Sequence, residues 1–260
     1  MRLSKRKHLN TSCLRTSVFY ILVVSFIGCS TPDSTVSGSQ EDSTEITDHN
    51  NPIETVDLRY LALGDSYTIG TGVCDTCSYP EQLTERLLNL TDPVYNASVK
   101  IVANTGWTTT QLLQELEARD IEKNFNLVTL LIGVNNQFQG GAFERYEEEF
   151  IQLLNQAIQF AQGNEDQVIV LSIPDYAFSP FGQNWGNPET TSNEIDTYNT
   201  YAKSVCENIG ISFVNVTDIS RQALERPELL ADDGLHLSEL AYAEFAERLL
   251  PLVKEKTRPN

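Results

Sequence analysis

Histidine is the scarcest reactive side chain here. Three occur in 260 residues, as His8, His49 and His236. The five cysteines, Cys13, Cys29, Cys74, Cys77 and Cys206, are scattered. A structural zinc site needs about four ligands brought together, so this inventory argues against one, and no metal is expected. Basic charge is also short: 18 Lys and Arg face 36 Asp and Glu, for a net charge of −18. Five of the basic residues, Arg2, Lys5, Arg6, Lys7 and Arg15, fall in the first 28, which hold no acidic residue. The rest of the chain therefore carries −23. An acidic surface repels phosphates and argues against nucleic acid as a partner. No apolar run reaches the roughly twenty residues that cross a bilayer. The run from Val18 to Ile27 has only ten.

That short run lies between basic residues and Gly28-Cys29-Ser30, the layout of an export signal. It resembles the lipobox of bacterial lipoproteins, with Phe26 where Leu is usual. The resemblance implies that Cys29 becomes the lipid-bearing N-terminus of a protein anchored in the cell envelope, at the periplasmic or outer-membrane face. An ordinary signal peptide cut near the same place is the alternative. Residues 30–55 are rich in Ser, Thr, Asp, Glu, Asn and Pro and nearly devoid of large apolar side chains. Such a stretch cannot offset the entropy of ordering and reads as a tether. The expected organisation is a signal over 1–28, the lipidated cysteine and linker over 29–56, and one folded domain over 57–257, large enough for its own core.

Within that domain, apolar runs of strand length alternate with helical patterns. The strand candidates are Arg59–Leu63, Val99–Ala103, Leu127–Ile132, Gln167–Ser172 and Ser212–Val214. Several are continuous Val/Ile/Leu runs, as in parallel strands buried on both faces. The helix candidates are Pro80–Leu90, Thr108–Arg119, Ala142–Gln162, Ser192–Asn208 and Ser238–Val253, with Pro251 near the end of the last. Repeated β-α order predicts an α/β fold: a three-layer α/β/α sandwich around a mainly parallel five-stranded sheet. Ligands of such sheets bind beyond the carboxyl ends of the strands. Gly64-Asp65-Ser66, Gly106 and Gly133-Val-Asn135 all fall there, and Asp233-Gly-Leu-His236 precedes the last helix.

Each of these segments has a chemical reading. Ser66 is the candidate nucleophile, and its alternative is a helix N-cap. His236, the only histidine in the folded part, suits the general base. Asp233, three residues earlier, suits the group that orients it. Asp65 reads as a structural neighbour of the nucleophile. An ester under attack develops an oxyanion, for which the Ser66 and Gly106 backbone N–H groups and the Asn135 side chain are candidate donors. A turn glycine and a turn asparagine are the plain alternatives, and the adjacent Asn136 is a rival for Asn135.

Taken together, the four segments resemble, in order, the four blocks of the SGNH (GDSL) hydrolases. The resemblance spans about residues 58–255 and departs in one place: Asn136 stands where the family's G-x-N-D block ends in Asp. It implies a serine ester hydrolase acting through an acyl-Ser66 intermediate, with no cofactor and as a monomer. Its substrates would be small acyl esters of the lysophospholipase, thioesterase or arylesterase kind. Carbohydrate O-acetyl esters are the alternative, and a non-catalytic glycan-binding lipoprotein is a more distant one. Tyr67, Trp107, Phe138, Tyr176, Phe178, Phe181 and Trp185 are candidate substrate-binding residues, most of them on the aromatic-rich segment Pro174–Pro188, where Asp175 and Asn184 are candidate polar contacts. For Cys74 and Cys77 a loop disulfide, free thiols and a redox pair all stay open.

Overall fold

The computed structural model describes residues 54–258. The expected leader, Cys29 and most of the tether lie outside them. Five strands, β1 (Thr55–Gly64), β2 (Val94–Ala103), β3 (Leu127–Leu131), β4 (Val168–Leu171) and β5 (Ser212–Val214), form one sheet in the order β2-β1-β3-β4-β5. Every neighbouring pair is parallel. Every residue of β3 and β4 is buried. This is why β4 reads as an unbroken apolar run and β3 as one interrupted only by Thr129: helices cover both faces of the sheet.

Nine α-helices accompany the strands among the described residues: α1 (Ser66–Ile69), α2 (Tyr79–Leu88), α3 (Thr109–Ala118), α4 (Val134–Phe138), α5 (Phe143–Phe160), α6 (Pro180–Gln183), α7 (Pro188–Ile209), α8 (Thr217–Ser220) and α9 (Glu239–Lys256). This is the expected three-layer α/β arrangement. Thr108 precedes α3, and its N–H and hydroxyl both donate to the Gln111 side chain, at 2.7 and 2.8 Å. A polar core contact crosses the sheet where Tyr60 meets the Thr129 hydroxyl at 2.7 Å.

Several boundaries move. β1 begins at Thr55, ahead of the expected domain start at 57, because Val56 pairs with Tyr95 and is buried. α7 starts four residues before Ser192. Asn187 accepts from Thr190 N–H at 3.1 Å and Pro188 opens the first turn, a pairing of N-cap and proline that favours initiation. α9 runs through Pro251 to Lys256. Pro251 lies on the exposed face, where solvent can take the carbonyl that its missing N–H frees. The segment from Pro174 to Pro188 is not a plain loop. It holds a short 3₁₀ turn, Tyr176–Phe178, followed by α6. Cys74 and Cys77 are joined by a disulfide in the connection between α1 and α2. Among the described residues, no helix is long and apolar enough to cross a membrane.

Candidate active site

The site begins where β1 ends. Gly64 sits between Ala103 of β2 and Leu131 of β3 in the sheet register. A Cβ on Gly64 would lie 2.1 Å from Thr68 Oγ1 and 2.4 Å from the Leu131 carbonyl oxygen. Only glycine lets the chain turn back this closely. Asp65 then caps α1, accepting the Tyr67 N–H at 3.0 Å. Ser66 is therefore the first residue of the helix rather than its N-cap. It is buried, and its backbone N–H belongs to a helix start, where such groups are left unbonded by the helix itself.

The Asp233–His236 turn comes from the far end of the chain. Asp233 Oδ1 accepts the N–H groups of Leu235 and His236, each at 2.9 Å. Asp233 Oδ2 lies 2.6 Å from His236 Nδ1. Partial burial works against ionisation of Asp233. The hydrogen bonds from the His236 ring and from the Leu235 and His236 N–H groups outweigh it and hold the carboxyl below its ordinary range. A charged Asp233 makes Nδ1 the donor, which leaves Nε2 free to accept a proton. The Tyr67 ring meets the His236 ring edge-on, with centroids 6.1 Å apart.

The loops after β2 and β3 complete the edge. Gly106 holds a left-handed backbone at φ 82°, and a Cβ there would meet nothing within 4 Å. Conformation rather than crowding by the protein is what favours glycine at this position. Asn135, in α4, donates one amide hydrogen to the Trp107 carbonyl at 3.0 Å. An asparagine amide has two N–H groups, so one remains to donate elsewhere. The neighbouring Asn136 is buried and turned to α3. Its Oδ1 accepts the Thr109 N–H at 3.0 Å, and its Nδ2 donates to Thr109 Oγ1 at 2.6 Å. Of the two asparagines, Asn135 is the one that lines a cavity with Ser66.

Ser66, Tyr67, Val134, Asn135, Phe138, Tyr176, Leu235 and His236 line one cavity of about 60 Å³. Nucleophile, base and amide donor candidates thus share a single space. Val134 and Leu235 were not anticipated from the sequence, although they occupy the variable positions inside G-V-N and D-G-L-H. Four of the expected substrate contacts do not line it: Trp107, Phe178, Phe181 and Trp185. Trp107 contributes its backbone carbonyl to Asn135 instead. Phe178 lies under the Arg221 guanidinium, 5.9 Å from its ring centre. Phe181 and Trp185 stack with one another at 5.5 Å, and Trp185 stacks on Phe138 at 5.4 Å. Phe138 thus joins the cavity to an aromatic layer whose outer member, Trp185, is half exposed. The expected polar contacts move as well. Asp175 is buried in an ion pair with Arg221 at 3.0 Å, and Asn184 donates to the Pro180 carbonyl at 2.7 Å.

The model of the GDSL-like Lipase/Acylhydrolase family matches residues 62–244, more than half of the chain and all four segments. The chain belongs to this family. No functionally curated protein matches the sequence. Solved structures with a similar fold include TesA, at 20% identity and a TM-score of 0.60 over 76% of this chain and 99% of that one. A lipase/acylhydrolase from Enterococcus faecalis shares 18% identity at a TM-score of 0.59, over 78% and 98%. Axe2, an acetylxylan esterase from Geobacillus stearothermophilus, shares 20% at 0.58, over 80% and 99%. Identities this low speak for the fold alone.

In this GDSL-like hydrolase the aspartate of the first block has a distinct physical role. Asp65 is fully buried, its Oδ2 has no hydrogen-bond partner among the described residues, and burial pushes its carboxyl up to about 7 against the opposing Tyr67 N–H. A buried acid with a raised value favours the folded state most when protonated. Its contribution is full below about pH 4 and is lost as pH rises to about 7. The Asp65→Asn variant keeps an oxygen for the Tyr67 N–H and removes this titration. Its melting temperature relative to wild type is expected to climb by several degrees between pH 4 and pH 8. A pH-independent difference between the two proteins would show that Asp65 is ionised in the folded state throughout.

Proposed function

We propose that the chain is a serine ester hydrolase working through an acyl-Ser66 intermediate. The observation that carries this reading is the single cavity shared by Ser66, His236 and Asn135, with Asp233 holding the far side of the imidazole. As Ser66 Oγ bonds to the ester carbonyl carbon, His236 Nε2 takes the serine proton. The carbonyl electron pair moves onto oxygen, where the Ser66 and Gly106 N–H groups and the free N–H of Asn135 receive it. Collapse expels the alcohol, which takes the proton back from His236. Water, deprotonated by the same imidazole, then attacks the acyl carbon, and the imidazolium returns its proton to Ser66 Oγ as the acid leaves. Serine, histidine and aspartate complete this chemistry without a cofactor.

The cavity also speaks to the substrate. Pockets that enclose drug-sized ligands occupy roughly 300–1,000 Å³. A volume of about 60 Å³ falls well below that range and suits a short acyl group such as acetyl. The Phe138–Trp185–Phe181 layer beside it offers an exposed aromatic face, which suits stacking on a sugar ring. These features favour carbohydrate O-acetylesterase activity, the activity named for Axe2, over the fatty-acyl, lysophospholipid and thioester reading. The lipid on Cys29 would hold the enzyme at the envelope surface.

Ser66→Ala is expected to lower p-nitrophenyl acetate turnover by about four to six orders of magnitude, and Asn135→Ala by about 10²–10³ in kcat. Turnover unchanged in Ser66→Ala would refute the nucleophile assignment, and glycan binding by an inactive wild type would favour the non-catalytic reading. Across nitrophenyl esters from C2 to C16, activity is expected to peak at C2, with acetylxylan cleaved in preference to lysophosphatidylcholine. A peak at C8 or beyond would overturn the short-acyl reading. Radiolabelled palmitate is expected to label the wild type in cells but not Cys29→Ser, and equal labelling would remove the anchor from the proposal.

A further inference from the structure

The hydrogen bonds around Asn136 have a direction that the donors impose. The Thr109 N–H can only donate, and Asn136 Oδ1 accepts it at 3.0 Å. The same amide must therefore present Nδ2 to Thr109 Oγ1, at 2.6 Å. That oxygen now accepts, so its own proton points onward, and it goes to Glu149 Oε2 in α5. Thr110 Oγ1 donates to the same carboxylate, at 2.7 Å to Oε1. The chain thus runs one way: amide at 136, hydroxyl at 109, carboxylate at 149. Asn136 and Thr109 are buried, so neither is easily satisfied by solvent.

The geometry points to Asn136 and Glu149 as a matched pair of positioning residues: the carboxylate on α5 requires an amide, not an acid, at 136 to pin the Asn135 turn to the start of α3. An aspartate at 136 would still accept the Thr109 N–H, but it would compete with Glu149 for the single Thr109 hydroxyl proton. Two carboxylates, one at the buried position 136 and one on half-buried Glu149, would then compete for one donor, and their repulsion would disfavour ionisation of the introduced acid. The pinned segment matters because Asn135 is one residue away and its amide is oriented by the Trp107 carbonyl, two residues before Thr109. This role rests on the oxyanion reading of Asn135.

The surrounding charges leave the pair isolated: on α7, which packs on α4 and α5, Glu189, Glu194, Asp196, Lys203 and Glu207 are all exposed. α4 carries none. On α3, Glu115 pairs with Arg119, and Glu117 is exposed. On α5, Glu144, Arg145 and Glu148 are exposed and Glu147 is half-buried. Tyr146, on the same helix, is fully buried, and its hydroxyl is pushed far above the range in which a carboxylate titrates. Among the described residues Glu149 has no ion-pair partner, and the two threonine hydroxyls are its hydrogen-bond donors.

The test is a double-mutant cycle of N136D, E149Q and N136D/E149Q. It reads melting temperature at pH 5 and pH 8, together with kcat and KM for p-nitrophenyl acetate. In the double variant the chain reverses: the carboxylate introduced at position 136 accepts the Thr109 N–H and hydroxyl, while the amide introduced at position 149 donates to Thr109 Oγ1 and accepts from Thr110. N136D alone is expected to melt about 4–8 °C below wild type at pH 8 and closer to it at pH 5. Its kcat is expected to fall about tenfold with KM within about twofold. E149Q introduced into N136D restores at least half of both losses. A double variant no better than the combined single effects overturns the pairing. Restored melting with kcat at the wild-type level throughout overturns the positioning role. Should N136D fail to fold, a folded double variant supports the pairing and an unfolded one overturns it. Ser66→Ala run in parallel separates the readings: full turnover there removes the nucleophile assignment, while the melting cycle still decides the pair.

Discussion

The site depends on the register of three parallel strands. Gly64 of β1 is level with Ala103 of β2 on one side and Leu131 of β3 on the other. Because the three strands end together, the segments that follow them, with Ser66, Gly106 and Asn135, leave from the same edge of the sheet; Ser66 and Asn135 line one cavity there, and Gly106 lies outside its lining. β1 is also the point where the chain, having gone to one side for β2, returns to the other for β3. Helices after neighbouring strands then lie on opposite faces and leave a crevice between them. A slip of one residue in either pairing would turn every side chain of the strand to the other face and scatter the loops. The buried apolar stretch Tyr60–Leu63 of β1, with buried β3 and β4, holds that register.

The fourth segment arrives differently. Asp233 and His236 precede α9, which packs on α2 rather than on the end of a strand. Gln82 in α2 donates to the Glu239 carbonyl at the start of α9, at 2.9 Å, and to the Cys77 carbonyl at 2.8 Å. One side chain thus links the start of α9, just after His236, to the disulfide connection that follows α1. The Phe181 N–H also donates to the Gly234 carbonyl, at 3.2 Å, and ties the aromatic layer to the same turn. Backbone carbonyls and short polar contacts of this kind fix where the Asp233–His236 turn sits relative to the end of β1.

Polar groups at this edge fall into two sets. Asp233 is partly exposed and kept charged by three donors. Asp65, separated from the solvent, has one backbone donor and a raised value. Two carboxylates near one serine thus sit in opposite protonation regimes, because one is hydrogen-bonded at the surface and the other is desolvated. Asp175, which the aromatic segment brought to notice as a possible substrate contact, belongs to neither set. Arg221 and the Ser192 hydroxyl, at 2.6 Å, occupy it.

Much of this was legible in the chain itself. The alternation of strands and helices follows from side-chain periodicity, which acts over a few residues. The Asp233–His236 contact could be read from spacing, since three residues in one turn suffice to bring carboxylate and imidazole together. The short helices α1, α4, α6 and α8 carry no periodic signal of their own. They form because a strand end, a cap or an Asx turn bends the chain, and the long segment after β4 therefore read as a loop. The G-x-N block pointed to Asn135 and left Asn136 as a rival in the same five-residue helix; what turns Asn136 away is Thr109, 27 positions distant and beyond any local pattern. The same holds for Phe181 and Trp185, which looked like cavity walls and instead form a layer outside it. Local order determined which residues reach the edge. Packing between segments far apart in the chain decided which way each one faces, because the hydrogen-bond partners and neighbours that fix orientation come from other elements of the fold.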